Sequence, residues 1–390
     1  MSTANTAMMA PTRCNIDRQK LSDFGIDPKR FDLIINRVHS DVQSGRYPGA
    51  ALAIARQGQV LASAAFGQSR LATRDKPMQL ADKDTLWLLY SQTKPIVSAA
   101  LWLMAERGQI DLHQPVATYI ANFARHGKQN LTVYHLLTHQ AGFPNQNVPN
   151  SAWQDHQVLL DTICDYKLDF EPGSRVSYHS FAAHWVQAAL IEQISGQDYR
   201  QFVKEQIIDA LALKNLYLGV PQSEHERLAG SYYLNAAGEH VHSHEFDHLE
   251  FWQAGVPGAG GYATADDVAL FYQMLLNQGT LNKTNLLSPA MVRYVTRNHT
   301  GDRPDEFFDA PMHRGLGVHV RGTTATIRGL GSLASAATFG HGGVGTSYSF
   351  ACPSSGVSFT YLTNSRLPEP GHGQRLEEII NMVHASIMPQ

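Results

Sequence analysis

Cysteine is scarce in this sequence: three in 390 residues, at Cys14, Cys164 and Cys352. They are widely spaced and odd in number, so neither a disulfide framework nor a metal-ligand spacing can be drawn from them. Free thiols in a reducing cytoplasm are the expected state. No apolar run reaches the roughly 18 residues that a membrane span needs. The opening stretch, MSTANTAMMAPTRCNIDRQK, lacks both the basic region and the apolar core of an export signal, so a cytoplasmic location is expected. No basic block is longer than a pair and the formal net charge is −3, which speaks against nucleic acid as a partner. The GxSxG elbow of α/β-hydrolases is missing as well. No cofactor and no metal are expected.

What remains is an ordinary globular composition, 43% hydrophobic and 17% charged, long enough for two or three cores. Residues 1–26 are polar and read as an irregular arm. Asp27-Pro28 then supplies an N-cap and a first-turn proline for a helix carrying Phe31, Ile34, Ile35, Val38 and Val42, with Gly45 as its stop. GAALAIARQGQVLASAAFG reads as a hairpin turning at Gln57-Gly58. Near the other end, 315–320, 346–352 and 357–363 read as strands. A closing helix there carries Leu376, Ile379, Ile380, Val383 and Ile387. The middle reads as helical: Ile96 to Met104, Trp185 to Ile194, and a third helix whose start pairs Thr264 with Asp267 in a capping-box arrangement. Strand-rich ends around a helix-rich middle predict an α/β fold with an all-α insertion, an antiparallel sheet flanked by helices. The α/β domain would take 27–90 and 305–390, and a mainly helical domain carrying the helix that begins at Ser91 would take 91–304.

Within that frame, SQTK at 91–94 carries chemistry. Pro95 is tolerated only in a first helical turn, which puts Ser91 at a helix start with Lys94 on the same face. The helix N-terminus brings free N–H groups to the hydroxyl. A serine becomes nucleophilic beside a base, and a lysine is a base only when burial or a neighbouring cation keeps it neutral. SxxK by itself is common by chance, and an N-cap beside a solvated lysine is the competing reading.

Its company is more specific. PGAALAIARQGQVLASAAFG and TLWLLYSQTKPIVSAALWLMAERGQIDLHQPVATYI are followed in order by HLLTHQAGFP, EPGSRVSYHSFAAHWVQAALIEQISG, GAGGYATADDVALFYQMLLNQG and FGHGGVGTS. The chain from about residue 30 to 385 thereby resembles the class C β-lactamases and the related D-peptidases and family VIII-type carboxylesterases. The resemblance implies that Ser91 is the acylated nucleophile, Lys94 its activating amine, and Tyr178 a second base that relays a proton to the leaving group. His341 stands at the family's third motif, usually lysine–threonine–glycine. The N–H groups of Ser91 and Val344 would form the oxyanion hole. Gly342 and Gly343 fit a strand edge that must lie close to substrate.

Two positions depart from the β-lactamase pattern. Ser180 stands where it has asparagine, and His341, mostly neutral near pH 7, where it has the lysine that anchors a substrate carboxylate. With the missing export signal, these departures favour a carboxylesterase for small or short-acyl esters. A D-amino-acid peptidase, an amidase or a biosynthetic acyltransferase is the alternative, followed by a weak β-lactamase or a binding module that has lost its chemistry. The expected partner is a small ester or amide, with Asn145 and Gln146 as candidate substrate contacts. His244-Glu245-Phe246-Asp247-His248 matches HExxH, but the alternation of His240, His242 and His244 reads as strand or loop, where a zinc pair four residues apart does not converge. A solvated, histidine-rich loop near the site entrance is expected there.

Overall fold

The structure is a computed structural model describing residues 13–74, 76–324 and 329–389. Its main sheet contains β1 (Arg13–Ile16), β2 (Gly49–Arg56), β3 (Gln59–Arg70), β4 (His319–Val320), β5 (Phe339–Gly343), β6 (Ser347–Cys352) and β7 (Val357–Thr363). The strands run antiparallel in the order β1-β3-β2-β7-β6-β5-β4, with the short strand Gln79–Leu80 beside β3. The two ends of the chain meet mid-sheet, where Ile54 lies opposite Phe359 and Leu52 opposite Tyr361. The β2–β3 turn holds Gln57 at φ 54° and Gly58 at φ 76°. Both central residues are left-handed, as the favoured two-residue hairpin turn requires.

Every residue of β2 is buried, because helices cover both faces of the sheet. The helices that matter for the site are α1 (Arg18–Asp23), α2 (Pro28–Gln43), α3 (Thr93–Glu106), α4 (Ala182–Ser195), α5 (Ala265–Leu276) and α6 (Gly371–Ser386). Strand alternation divides β2 between two cores. Ala50, Leu52 and Ile54 join the core under α2 and α6, whereas Ala51, Ala53 and Ala55 join the core that contains α5. The alanine face lets α5 settle across β2 and β7. Helix α2 forms where its sequence places it: the Asp27 carboxylate accepts from the N–H groups of Lys29 and Arg30. Its Phe31, Ile34 and Val38 are fully buried, each stabilising the fold by about 1.5–3 kcal/mol. Thr264 caps α5 by accepting from the N–H of Asp267.

Three expectations need correction. Residues 13–26 are not an irregular arm: they form β1, paired on β3, and α1, capped by Asp17. Leu21 and Ile26 are fully buried anchors in that polar stretch, and Ile26 bridges to Ile387, which lies just beyond the end of α6. The part of the arm before residue 13 lies outside the described residues. The strand expected over 315–320 shrinks to β4, because the Gly317 N–H is spent on Leu137 O instead of a ladder. Nor is the middle purely helical. Trp87–Leu88, Gly261–Ala263 and Leu216–Leu218 form a small antiparallel sheet, and α5 belongs to the layer against the main sheet. Among the described residues no helix is long and apolar enough to cross a membrane.

Candidate active site

Ser91 lies in a 3₁₀ turn, Tyr90–Gln92, that leads directly into α3. Tyr90 is held at φ 48°, a conformation that costs a bulky residue about 1–3 kcal/mol unless its surroundings enforce it. The enforcement is visible on each side. The Tyr90 hydroxyl shares a 2.5 Å hydrogen bond with Ser231. The Gln92 amide donates to Ser347 Oγ at 2.7 Å and accepts from Ser349 Oγ, both on β6. Thr93 Oγ1 accepts from the Gly261 N–H at 2.9 Å. The sheet, the small sheet and the 231 segment therefore all grip the turn that presents Ser91.

Lys94 is fully buried, and its Nζ has three polar neighbours: Ser91 Oγ at 3.1 Å, Ser180 O at 2.8 Å and Gly258 O at 2.7 Å. A Cβ at position 258 would sit 3.1 Å from Ser180 O and 3.4 Å from Nζ, so a bare backbone suits this approach. Burial, reinforced by the Arg314 guanidinium, holds the amine well below the usual lysine range. A neutral amine has two N–H bonds and one lone pair. Two carbonyls take the N–H bonds, and the lone pair is left facing the Ser91 hydroxyl, which can donate to it.

Tyr178 completes the group. Its phenol hydrogen-bonds to Ser91, and burial pushes it up to about 12, against the pull of that bond and of Arg314. Lys94 Nζ lies 5.1 Å from the centre of its ring. The Tyr178 N–H donates to Asp305 Oδ1 at 3.1 Å, which fixes the backbone behind the ring. A hydroxyl thus sits between an amine and a phenol, both uncharged at rest.

His341 lies on β5, 2% exposed, with its Nδ1 2.9 Å from Gly342 O and its ring 4.1 Å from that of His319. Its Nε2 has no partner among the described residues, and burial holds the ring well below the usual histidine range. It is therefore neutral, and no cation stands at the third-motif position. The glycines after it serve the protein's own packing. A Cβ at Gly342 would sit 2.8 Å from the Tyr348 ring, and one at Gly343 would sit 2.8 Å from Leu89 O. That closeness seats the end of β5 on the turn of Ser91. Val344 follows in an exposed turn.

Ser180 contributes its backbone carbonyl to Lys94. Asn145 and Gln146 are not drawn into this group by hydrogen bonds: the Asn145 amide donates to Asp169 and the Gln146 N–H to Phe143 O. The 240–248 segment is not a free loop. His240–His242 pairs as a strand with Tyr232–Leu234. His240 is bonded to Ser365 and Gly45 O, His242 to Asp247 and His248 to Glu250. His248 precedes the helix Leu249–Ala254, so His244 and His248 share no helix face. Among the described residues no group of three or more His, Cys, Asp or Glu is arranged to hold a metal ion.

The structure also adds residues that sequence reasoning did not single out: Gln92, Gly258, Asp305, Arg314 and His319. The GAGG run at 258–261 was a usable signal for Gly258. Arg314 and Asp305 had none, since a lone arginine and a lone aspartate carry no pattern.

The family model described as Beta-lactamase matches residues 34–381. Among curated proteins, the chain is 26% identical over 378 residues to the "Esterase/beta-lactamase LipL" of Mycobacterium tuberculosis, covering 89% of this chain and 84% of that one. A penicillin-binding protein homologue from Caulobacter crescentus superposes with a TM-score of 0.79 at 26% identity, over 93% of this chain and 99% of that chain. A family VIII carboxylesterase superposes with a TM-score of 0.79 at 25% identity, over 92% and 97%.

Proposed function

The chain belongs to the beta-lactamase family of serine hydrolases, and we propose that within it the protein is a carboxylesterase for small, short-acyl esters. The observation that carries the mechanism is the surroundings of Lys94 Nζ, two carbonyls and the Ser91 hydroxyl. Ser91 Oγ attacks the ester carbonyl while its proton passes to Lys94, giving a tetrahedral oxyanion held by the N–H groups of Ser91 and Val344. As the ester C–O bond breaks, the leaving alkoxide takes a proton from Tyr178, which is refilled from the Lys94 ammonium. Water then attacks the acyl-Ser91 ester, losing a proton to the same pair, and frees the acid. Each proton borrowed is returned, so the resting state is restored.

Ester preference rests on the absence of fixed charge where a carboxylate would be anchored. His341 is neutral, and the surface beside Tyr178 is apolar: the Phe307 ring lies 5.7 Å from the Tyr178 ring and is 60% exposed, and Val344 is 55% exposed. Neutral substrates lose nothing in such a site, whereas a charged one gives up hydration without an ion partner. A D-amino-acid peptidase, an amidase or a biosynthetic acyltransferase is the second reading, with histidine at the third motif favouring the peptidase version. p-Nitrophenyl acetate and butyrate should be turned over, with added alcohol or amine diverting little of the acyl group. Rapid nitrocefin opening without ester turnover would overturn the ester preference, and turnover surviving in Ser91→Ala would overturn the mechanism.

A further inference from the structure

Arg314 is 1% exposed and Asp305 is 0% exposed, yet neither belongs to a motif that marks this site. The Arg314 guanidinium lies over the Tyr178 ring, 5.0 Å from its centre. Its Nε and Nη2 both donate to Asp305 Oδ2, the former at 3.2 Å. The other oxygen, Asp305 Oδ1, accepts from the Tyr178 N–H at 3.1 Å and the Phe307 N–H at 3.0 Å. One carboxylate therefore holds both the cation and the backbone of the phenol that the cation faces. Arg314 Nη1 has no hydrogen-bond partner among the described residues, so one edge of the guanidinium is left without an acceptor inside the protein.

We infer that Arg314, held by Asp305, is a positioning residue that supplies the fixed positive charge that neutral His341 does not: added to burial, its charge keeps Lys94 in the neutral, proton-accepting form and eases proton release from Tyr178. A guanidinium is suited to this because it stays charged throughout the working pH range, even when buried. In a low-dielectric interior its field reaches further than it would in water. Arg314 pulls both groups in that direction, adding to burial at Lys94 and opposing it at Tyr178, where burial still pushes the phenol up to about 12.

The other titratable groups around the pair do not supply this charge. His139 and His179, which precede α4, and His184 on α4 are held below the usual histidine range by burial, His179 at about 4. His319 on β4 and His341 on β5 are lowered for the same reason, and burial keeps the Tyr348 phenol on β6 protonated. Near neutral pH, among the described residues, the ring of groups facing Lys94 and Tyr178 thus holds one ion pair, Arg314–Asp305.

The inference rests on the acyl-enzyme reading of Ser91, and the test separates the two. The rate of fluorophosphonate labelling of Ser91 is followed against pH, which needs no choice of substrate. The acid limb of that profile reports the loss of neutral Lys94. In Arg314→Met the limb should move up by about one pH unit or more, so that labelling on the acid side of the limb is slowed about tenfold at a given pH. In Asp305→Asn, which keeps an oxygen for the two N–H groups but leaves the guanidinium unbalanced, the limb should move down. Arg314→Lys should restore most of the wild-type profile. Opposite shifts from two halves of one ion pair are not what a mere loss of folding produces. If Arg314→Met fails to fold, the Asp305→Asn direction and the Arg314→Lys profile decide. Limbs that move together, or do not move, overturn the inference while leaving the acyl-enzyme intact. Labelling that survives in Ser91→Ala overturns the acyl-enzyme reading itself.

Discussion

Two buried arginines sit on opposite faces of the main sheet among the same kinds of neighbours, and only one of them stands beside the Ser91–Lys94 pair. Behind the sheet, Arg375 of α6 lies 4.9 Å from the Tyr47 ring centre and 5.5 Å from that of Tyr361. The Tyr361 hydroxyl donates to Tyr47 at 2.6 Å, and the Tyr47 hydroxyl donates to Asp41 Oδ2 at 3.1 Å. In front, Arg314 faces Tyr178 and is held by Asp305. The back chain ends on a carboxylate, which leaves its phenols as fixed donors. The front phenol bonds to a serine whose other neighbour is an amine. A buried Arg–Tyr–Asp set is thus structural by default, and the added serine–amine pair is what makes the front one a candidate site. The two are also linked: Arg375 Nη2 donates to Thr346 O at 2.8 Å and Gly345 O at 3.3 Å, in the turn that carries Val344.

The largest expected contrast is in rate. Lys94→Met should lower kcat/KM for p-nitrophenyl butyrate on the order of 10³-fold, within the range for loss of a general base. Its stability should change by only about 1–2 kcal/mol, since the two carbonyls lose a donor but the burial of an amine is relieved. Arg375→Met should do the reverse. It removes donors from Gly345 O, Thr346 O and His372 Nδ1 in a buried place. Urea unfolding should report a loss of about 2–4 kcal/mol, with a smaller fall in rate than Lys94→Met gives. Near-wild-type turnover in Lys94→Met would erase the distinction between the two clusters.

A third contrast is in acid. Burial, with Arg375 beside it, lowers His372 to about 3. Its folded value lies below the ordinary 6.5, so the stability it contributes is present above about pH 6.5 and is lost as pH falls towards 3. The slope is about 1.4 kcal/mol per pH unit for each such proton. His372→Gln should flatten the fall of unfolding free energy over that window by one proton. The front histidine His179, at about 4, should go on contributing its own share. An unchanged slope in His372→Gln would show that the back cluster takes up no proton there on unfolding.

These contrasts also show how far the chain could be read before folding. The hairpin at Gln57-Gly58, the cap at Asp27 and the family likeness were legible because each depends on residues adjacent in sequence. The SQTK segment suggested a shared face for Ser91 and Lys94, and the 3.1 Å approach has that origin. Arg314 and Asp305 were not legible. They reach Tyr178 because Asp305 pairs with Val176 across more than a hundred residues, a contact that no local pattern encodes. Residues 13–26 were misread for a related reason: two buried side chains, Leu21 and Ile26, outweigh a polar composition.

The smallest expected effect tests the boundary between backbone and side chain. Val344 is given a role through its N–H alone, and its side chain is 55% exposed. Val344→Ala should therefore leave stability within about 0.5 kcal/mol and kcat/KM within about twofold. One residue earlier the situation inverts, since a Cβ at Gly343 would lie 2.6 Å from Ser347 Oγ and 2.8 Å from Leu89 O. Gly343→Ala should push the strand end off the turn of Ser91 and lower the rate about tenfold or more, as small displacements of reacting groups do. A loss in Val344→Ala as large as that would mean that the side chain itself touches the acyl group. The exposed turn that Arg375 supports from behind would then select the substrate as well as carry the proposed oxyanion donor.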